Sequence, residues 1–287
     1  MRDWEKEKAA TKPDTDVETL EKYSQDWDWH VRRSVAQNSK VPLEILQNLV
    51  SDKVPWVREA VAAHLRTDED TLRILAKDCE GFVRASVALN ESTSPDVLEE
   101  LVWDEMMDFD YTRSKNRYIT QEAVARNPKT PQDAIRLLAS HQDEHVRAAV
   151  AQNPQAPHDL LFTFRIDLSW VVRQEVAKNS KTSVEILEWL ASDRIQDVRG
   201  SVALNPHSSA ESLRGLAMDR DVDIRVRVAQ NPSADEVTLE VLSQDWSWKV
   251  REKVVRNPSA SDEIIRKLAE DKDMSVRDAA TKIVKSR

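Results

Sequence analysis

The side chains of this sequence that could do chemistry recur in register. Asp-x-x-x-x-Val-Arg, with Ile224 once in place of Val, gives Asp26/Arg32, Asp52/Arg58, Asp78/Arg84, Asp167/Arg173, Asp193/Arg199, Asp219/Arg225, Asp245/Arg251 and Asp271/Arg277. A guanidinium can hold a carboxylate and a turn carbonyl at once, so two such columns predict a structural ladder between repeats. The competing reading is a basic stripe for phosphate, and it is weakened because each of these arginines brings its own aspartate. His141 and His145 bracket Asp143 and Glu144, but His141 falls in a turn column, so the pair does not make a helical metal site. Gly81, Gly200 and Gly215 are the only glycines and stand too far apart for a phosphate-cradling loop, and Cys79 is the only cysteine. No Ser/His/Asp or Cys/His arrangement is present to propose. The sequence thus assigns no catalytic, cofactor-binding or metal-binding residue, and the chain reads as a non-enzyme without a cofactor.

The elements that position these columns follow from a period. The Asn of Val-Ala-x-Asn falls at Asn38, Asn90, Asn127, Asn153, Asn179, Asn205, Asn231 and Asn257, with His64 in the same column. Every interval is 26 residues except that between Asn90 and Asn127, which is 37. Valines three and seven residues before the Asn lie on one face of a short helix, and Leu-x-x-Leu pairs such as Leu46/Leu49 and Leu187/Leu190 mark a second. Between them, Asn is expected in the left-handed conformation that closes a helix, with Pro after it in five repeats. Thr67/Asp70, Thr93/Asp96, Thr130/Asp133, Thr182/Glu185 and Ser208/Glu211 read as capping boxes, and Pro131 and Pro157 as first helical residues. Two helices of two turns cannot bury such faces alone, whereas stacked neighbours can. The expectation is an all-α, right-handed α-solenoid of about ten 26-residue helix-turn-helix repeats filling 1–287 as one domain. Residues 1–25 would be an atypical N-terminal cap, 26–103 and 119–270 repeats, 104–118 an insertion-bearing region, and 271–287 a C-terminal cap helix.

Val-Arg-x-x-Val-Ala-x-Asn-Pro followed by Leu-x-x-Leu resembles the leucine-rich repeat variant family, within the HEAT-like superfamily whose repeats carry an Asp six positions before an Arg. The resemblance covers nearly the whole chain. It implies a right-handed superhelix of paired short helices and allows one helix of each pair to be 3₁₀ rather than α. The repeat here is slightly longer than the family's, and the N-terminal cysteine cluster with which a founding member binds an iron–sulfur centre is missing, so that metal function does not carry over.

Departures from the period are the functional pointers, because packing does not require them. The insertion coincides with loss of the Val-Arg pair, which becomes Thr120-Gln121, and it brings Met106, Met107, Phe109, Tyr111 and Tyr118 beside Arg113, Lys115 and Arg117. That mixture suits a partner surface; a local fold-back over the array is the plainer reading. Tryptophans crowd the Asp turns, and Trp27, Trp29 and Trp56 with Phe82 could form an aromatic edge for a protein; the plainer reading is a set of lids over the core. A net charge of −9 argues against nucleic acid, since phosphate contacts come from Lys and Arg. No apolar run reaches the roughly 18–20 residues of a membrane span and no signal peptide is evident, so a cytoplasmic location, no membrane partner and a monomer are expected. The functional expectation is a protein-interaction scaffold with an unknown protein partner. The alternative is a nucleic-acid-binding or DNA-glycosylase-like HEAT protein.

Overall fold

A computed structural model describes residues 3–104, 108–110 and 115–286, with backbone alone at 108–110, 115–116 and 286. Met106, Met107, Tyr111 and Arg113 lie outside the described residues, as do the side chains of Phe109 and Lys115. The chain forms two compact units, Met1–Gln155 and Ala156–Arg287.

The first unit runs α1 (Trp4–Ala10), α2 (Val17–Ser24), α3 (Trp29–Ala36), α4 (Leu43–Leu49), α5 (Pro55–Ala63), α6 (Glu69–Leu75), α7 (Gly81–Leu89) and α8 (Pro95–Val102). Two short strands follow, β1 (Asp108–Asp110) and β2 (Lys115–Arg117), then α9 (Ile119–Arg126), α10 (Gln132–Leu138) and α11 (Glu144–Gln152). The second unit runs α12 (His158–Phe164), α13 (Trp170–Lys178), α14 (Val184–Leu190), α15 (Gln196–Leu204), α16 (Ala210–Leu216), α17 (Val222–Gln230), α18 (Glu236–Ser243), α19 (Trp248–Arg256), α20 (Asp262–Leu268) and α21 (Met274–Ser286). Each unit is an α-solenoid of helix pairs, and both helices of a pair are α; no 3₁₀ helix occurs among the described residues.

Within each unit the odd-numbered helices stack directly on one another, and each even-numbered helix leans on the odd helices beside it. Val35, Val61, Val87, Val124 and Val150 are fully buried in the first unit, as are Leu46, Leu72, Leu98 and Ile135. Val176, Val202, Val228 and Val254 do the same in the second, with Leu161, Leu187, Leu213 and Leu239. Each such side chain contributes about 1.5–3 kcal/mol on burial. Helices of seven to nine residues are too short to persist alone in water, so this stacking is what makes them form.

Two turn expectations are corrected. The Asn that ends each odd helix is not left-handed: Asn90, Asn127, Asn153, Asn205, Asn231 and Asn257 have φ between −72° and −61° and ψ between 124° and 129°. That extended backbone is what a following Pro favours, and it aims the side chain at the preceding repeat. Thr67, Thr93, Thr130, Thr182 and Ser208 are not capping-box residues either. Each donates its hydroxyl back to the Val six residues earlier, as Thr67 Oγ1 does to the Val61 carbonyl at 2.6 Å, closing the odd helix rather than opening the even one. The even helices start one residue later, so Pro131 and Pro157 are caps, not first helical residues.

Candidate functional site

The arginine column forms a ladder of uniform geometry. Arg32 donates Nε to Asp52 Oδ2 at 2.6 Å and Nη2 to Asp52 Oδ1 at 2.9 Å, while Nη1 reaches back to the Asp26 carbonyl at 2.7 Å. Each guanidinium thus ties its own turn to the next aspartate, 20 residues on. The same fork joins Arg58 to Asp78 and Arg84 to Asp104 in the first unit. In the second it joins Arg173 to Asp193, Arg199 to Asp219, Arg225 to Asp245 and Arg251 to Asp271. Arg277 ends the column on the Asp271 carbonyl, and Arg147 donates to the carbonyls of His141 and Gln142. Asp167 begins the column of the second unit, its carbonyl accepting from Arg173. Burial alone would raise the carboxyls of Asp52, Asp78, Asp193 and Asp219, but the guanidinium and a turn N–H hold each below the ordinary carboxylate range. At the N-terminus Lys6 replaces arginine, its Nζ 2.7 Å from Asp26.

A second ladder runs through the asparagines, unforeseen in the sequence reading. Asn231 Nδ2 donates to the carbonyls of Ala203 at 2.8 Å and Asn205 at 2.9 Å, and its Oδ1 accepts from Ser233 N. Asn38, Asn90, Asn127, Asn205 and Asn257 do likewise. His64 imitates the amide: Nε2 meets the Asn38 carbonyl at 3.1 Å and Nδ1 accepts from Arg66 N. The signal was the invariance of Asn even where no Pro follows, which a capping role alone does not demand.

The ladders part company at α9. Asn127 keeps its bonds across the insertion, to Ala88 and Asn90. The arginine rung is gone, and both of its members have changed together: Gln121 stands in the arginine column and His141, 20 residues on, in the aspartate column. Gln121 Nε2 donates to the Val102 carbonyl at 2.7 Å, which fixes the amide orientation, and its Oε1 is buried with no partner. Both residues line a cavity of about 510 Å³ with Trp103, Tyr118, Leu138 and Gln142. The Tyr118 ring meets His141 edge-on at 4.6 Å, and Gln142 Nε2 bonds the Tyr118 hydroxyl at 2.7 Å. Burial pushes His141 below the ordinary histidine range, and Nδ1 accepts from Asp143 N, which places the imidazole proton on Nε2.

The other sequence candidates are placed as follows. β1 and β2 pair antiparallel, Asp108 opposite Arg117, so the insertion contains a hairpin. Arg117 is buried with its guanidinium on Glu122, which also pairs with Arg126, while Tyr118 lines the cavity. Trp56 and Phe82 stack at 4.4 Å, Trp29 stacks on His30 at 3.8 Å, and Trp27 is exposed. Among the described residues no group of three or more His, Cys, Asp or Glu could hold a metal ion, and no helix is long and apolar enough to cross a membrane.

This geometry defines the class: a helical-repeat protein whose turns are cross-linked by side-chain ladders. The fold is that of the leucine-rich repeat variant. A solved leucine-rich repeat variant, described as having a novel repetitive structural motif, is similar over 81% of this chain and 87% of its own, with 23% identity and a TM-score of 0.56. An engineered protein is similar over 98% of this chain and 93% of its own, at 15% identity and a TM-score of 0.39. Importin beta is similar over 92% of this chain and 39% of its own, at 10% identity and a TM-score of 0.31. No protein-family model matches the chain, and no curated protein does.

Proposed function

We propose that this chain is a non-catalytic scaffold that binds a protein partner through its helical array. One observation carries the reading: where the arginine ladder is interrupted, the array opens a cavity beside exposed Trp103 instead of closing over a repacked core. Packing gives no reason for a stable repeat to keep such an opening, and exposed aromatics next to a concavity are how protein interfaces anchor. The regular part of the array supports the same reading from the other side. Its recurring arginines and aspartates are consumed by one another and so leave no charged constellation for chemistry or for phosphate.

A photo-crosslinking amino acid at position 103 or 118, compared with one at 178 on the outer end of α13, tests this in cells of the source organism. The expected result is a single protein crosslinked from 103 and 118 and not from 178, and lost when Trp103 is changed to Ser in the variant carrying the crosslinker at 118. Equal, unselective crosslinking from all three positions overturns the reading.

A further inference from the structure

Seven rungs show what the array places between successive turns: a guanidinium that donates forward to a carboxylate. At the eighth place, between α9 and α11, the guanidinium is absent from the chain and the groups around its place are those that receive donors. Gln121 is 6% exposed, and its Oε1 has no partner, a costly state for a buried acceptor, about 1–3 kcal/mol. Rotating the amide cannot relieve it, because Nε2 is committed to the Val102 carbonyl. The Tyr118 hydroxyl takes one bond from Gln142 and keeps acceptor capacity on the same wall. Trp103, 68% exposed, offers an indole face beside the cavity.

The charge around the opening has one sign. A smaller cavity of about 260 Å³ shares Val102, Trp103 and Leu137 with the first and adds Glu99 and Asp133, and no lysine or arginine lines either one. The occupant that fits is therefore a flat cation with several N–H donors, weakly hydrated and able to stack on an aromatic face. Guanidinium meets each of these terms, and ammonium meets neither the planarity nor the stacking. We propose that this cavity receives an arginine side chain from the protein partner, which completes in trans the rung that Gln121 leaves open. The inference rests on the scaffold reading above and deepens it by naming the side chain that is bound.

The probe is the capped tripeptide acetyl-Ala-Arg-Ala-amide, titrated against the full chain and followed by the indole N–H resonance of Trp103, identified through its loss in Trp103→Phe. A saturable shift is expected, with binding at least about tenfold weaker for the citrulline analogue, which keeps the shape and loses the charge, a difference of about 1.4 kcal/mol. The double variant Gln121→Arg with His141→Asp rebuilds the rung within the chain and is expected to remove binding while raising the thermal midpoint. Gln121→Leu, which deletes the acceptor without filling the cavity, is expected to weaken binding at an unchanged fold. Absence of any saturable shift, equal binding of the citrulline peptide, or undiminished binding to the double variant overturns the inference. Free L-arginine binding more tightly than the tripeptide overturns the assignment to a protein partner. Crosslinks from 103 and 118 that persist in the double variant would leave the scaffold reading standing while removing this one; tripeptide binding without any crosslinked protein would do the reverse.

Discussion

Arg199 with Asp219, and Gln121 with His141, occupy the same two columns of the repeat and do opposite things with them. In the first pair a buried guanidinium and carboxylate satisfy each other, and Arg199 also reaches the Asp193 carbonyl. In the second, both charges are gone, one amide oxygen is orphaned, and space opens. The joint change is physically sensible, because losing only one member would strand a buried charge, which costs far more than losing both. The array therefore tolerates an opening at α9 because the two rung positions are neutral together, and because the asparagine ladder still crosses the gap through Asn127.

The strongest way to break this contrast is to strand a charge in the intact region. Arg199→Ala leaves Asp219 buried beside one turn N–H and is expected to cost about 3–5 kcal/mol in urea unfolding; Gln121→Ala, which strands nothing, is expected to cost less than about 1 kcal/mol. Equal losses would mean that the two positions are energetically alike.

Next in size is the asparagine ladder. Asn231→Ala removes the donor that serves both the Ala203 and Asn205 carbonyls, and hydrogen exchange is expected to speed up locally in α15 and α17 with a loss of about 2–3 kcal/mol. Asn127→Ala should cost a similar amount. If it costs much more, the asparagine ladder is what holds the array together where the arginine rung is missing.

Converting the exception to the rule is expected to have a smaller effect. Gln121→Arg combined with His141→Asp should raise stability by about 1–2 kcal/mol, read as an upward shift in urea midpoint, since charge-assisted bonds replace an orphaned acceptor. Either substitution alone should be destabilising, and additivity of the two would contradict their behaving as a pair.

The smallest effect concerns pH. His64 and His141 both sit below the ordinary histidine value of 6.5, burial being the largest cause. The folded chain therefore takes up protons less readily than the unfolded chain. Stability is full above that value and is lost as pH falls from it through the lower folded values. Protonated His64 would also lose Nδ1 as the acceptor for Arg66 N. His64→Asn should gain about 1 kcal/mol at neutral pH by restoring the second carbonyl bond, and should flatten part of the loss in thermal midpoint between neutral and mildly acidic pH.

Much of this was legible from the residues. The period, the two buried faces and the Asp/Arg register follow from side-chain type and spacing, and Thr120-Gln121 could be seen to interrupt the column without any coordinates. The turns were less legible. Asn at a helix end has two uses, a left-handed cap or an extended residue whose amide reaches sideways, and a single repeat does not say which; the neighbouring backbone has to be present to receive the bonds. Thr67 was misread for a similar reason, since its hydroxyl could serve the helix after it or the helix before it. The joint neutrality of Gln121 and His141 was written in the sequence but could be seen only once the rung was known to pair each arginine with the aspartate 20 residues ahead rather than its own.

The sequence by itself determined the repeat, its helical pairing and which columns are buried, because periodicity and hydrophobic burial are local and additive along the chain. Tertiary structure decided which side chains pair across repeats, where an amide is left without a partner and where the array opens. Those outcomes depend on the distance and direction between groups about 20 to 28 residues apart, and stacking alone sets that geometry.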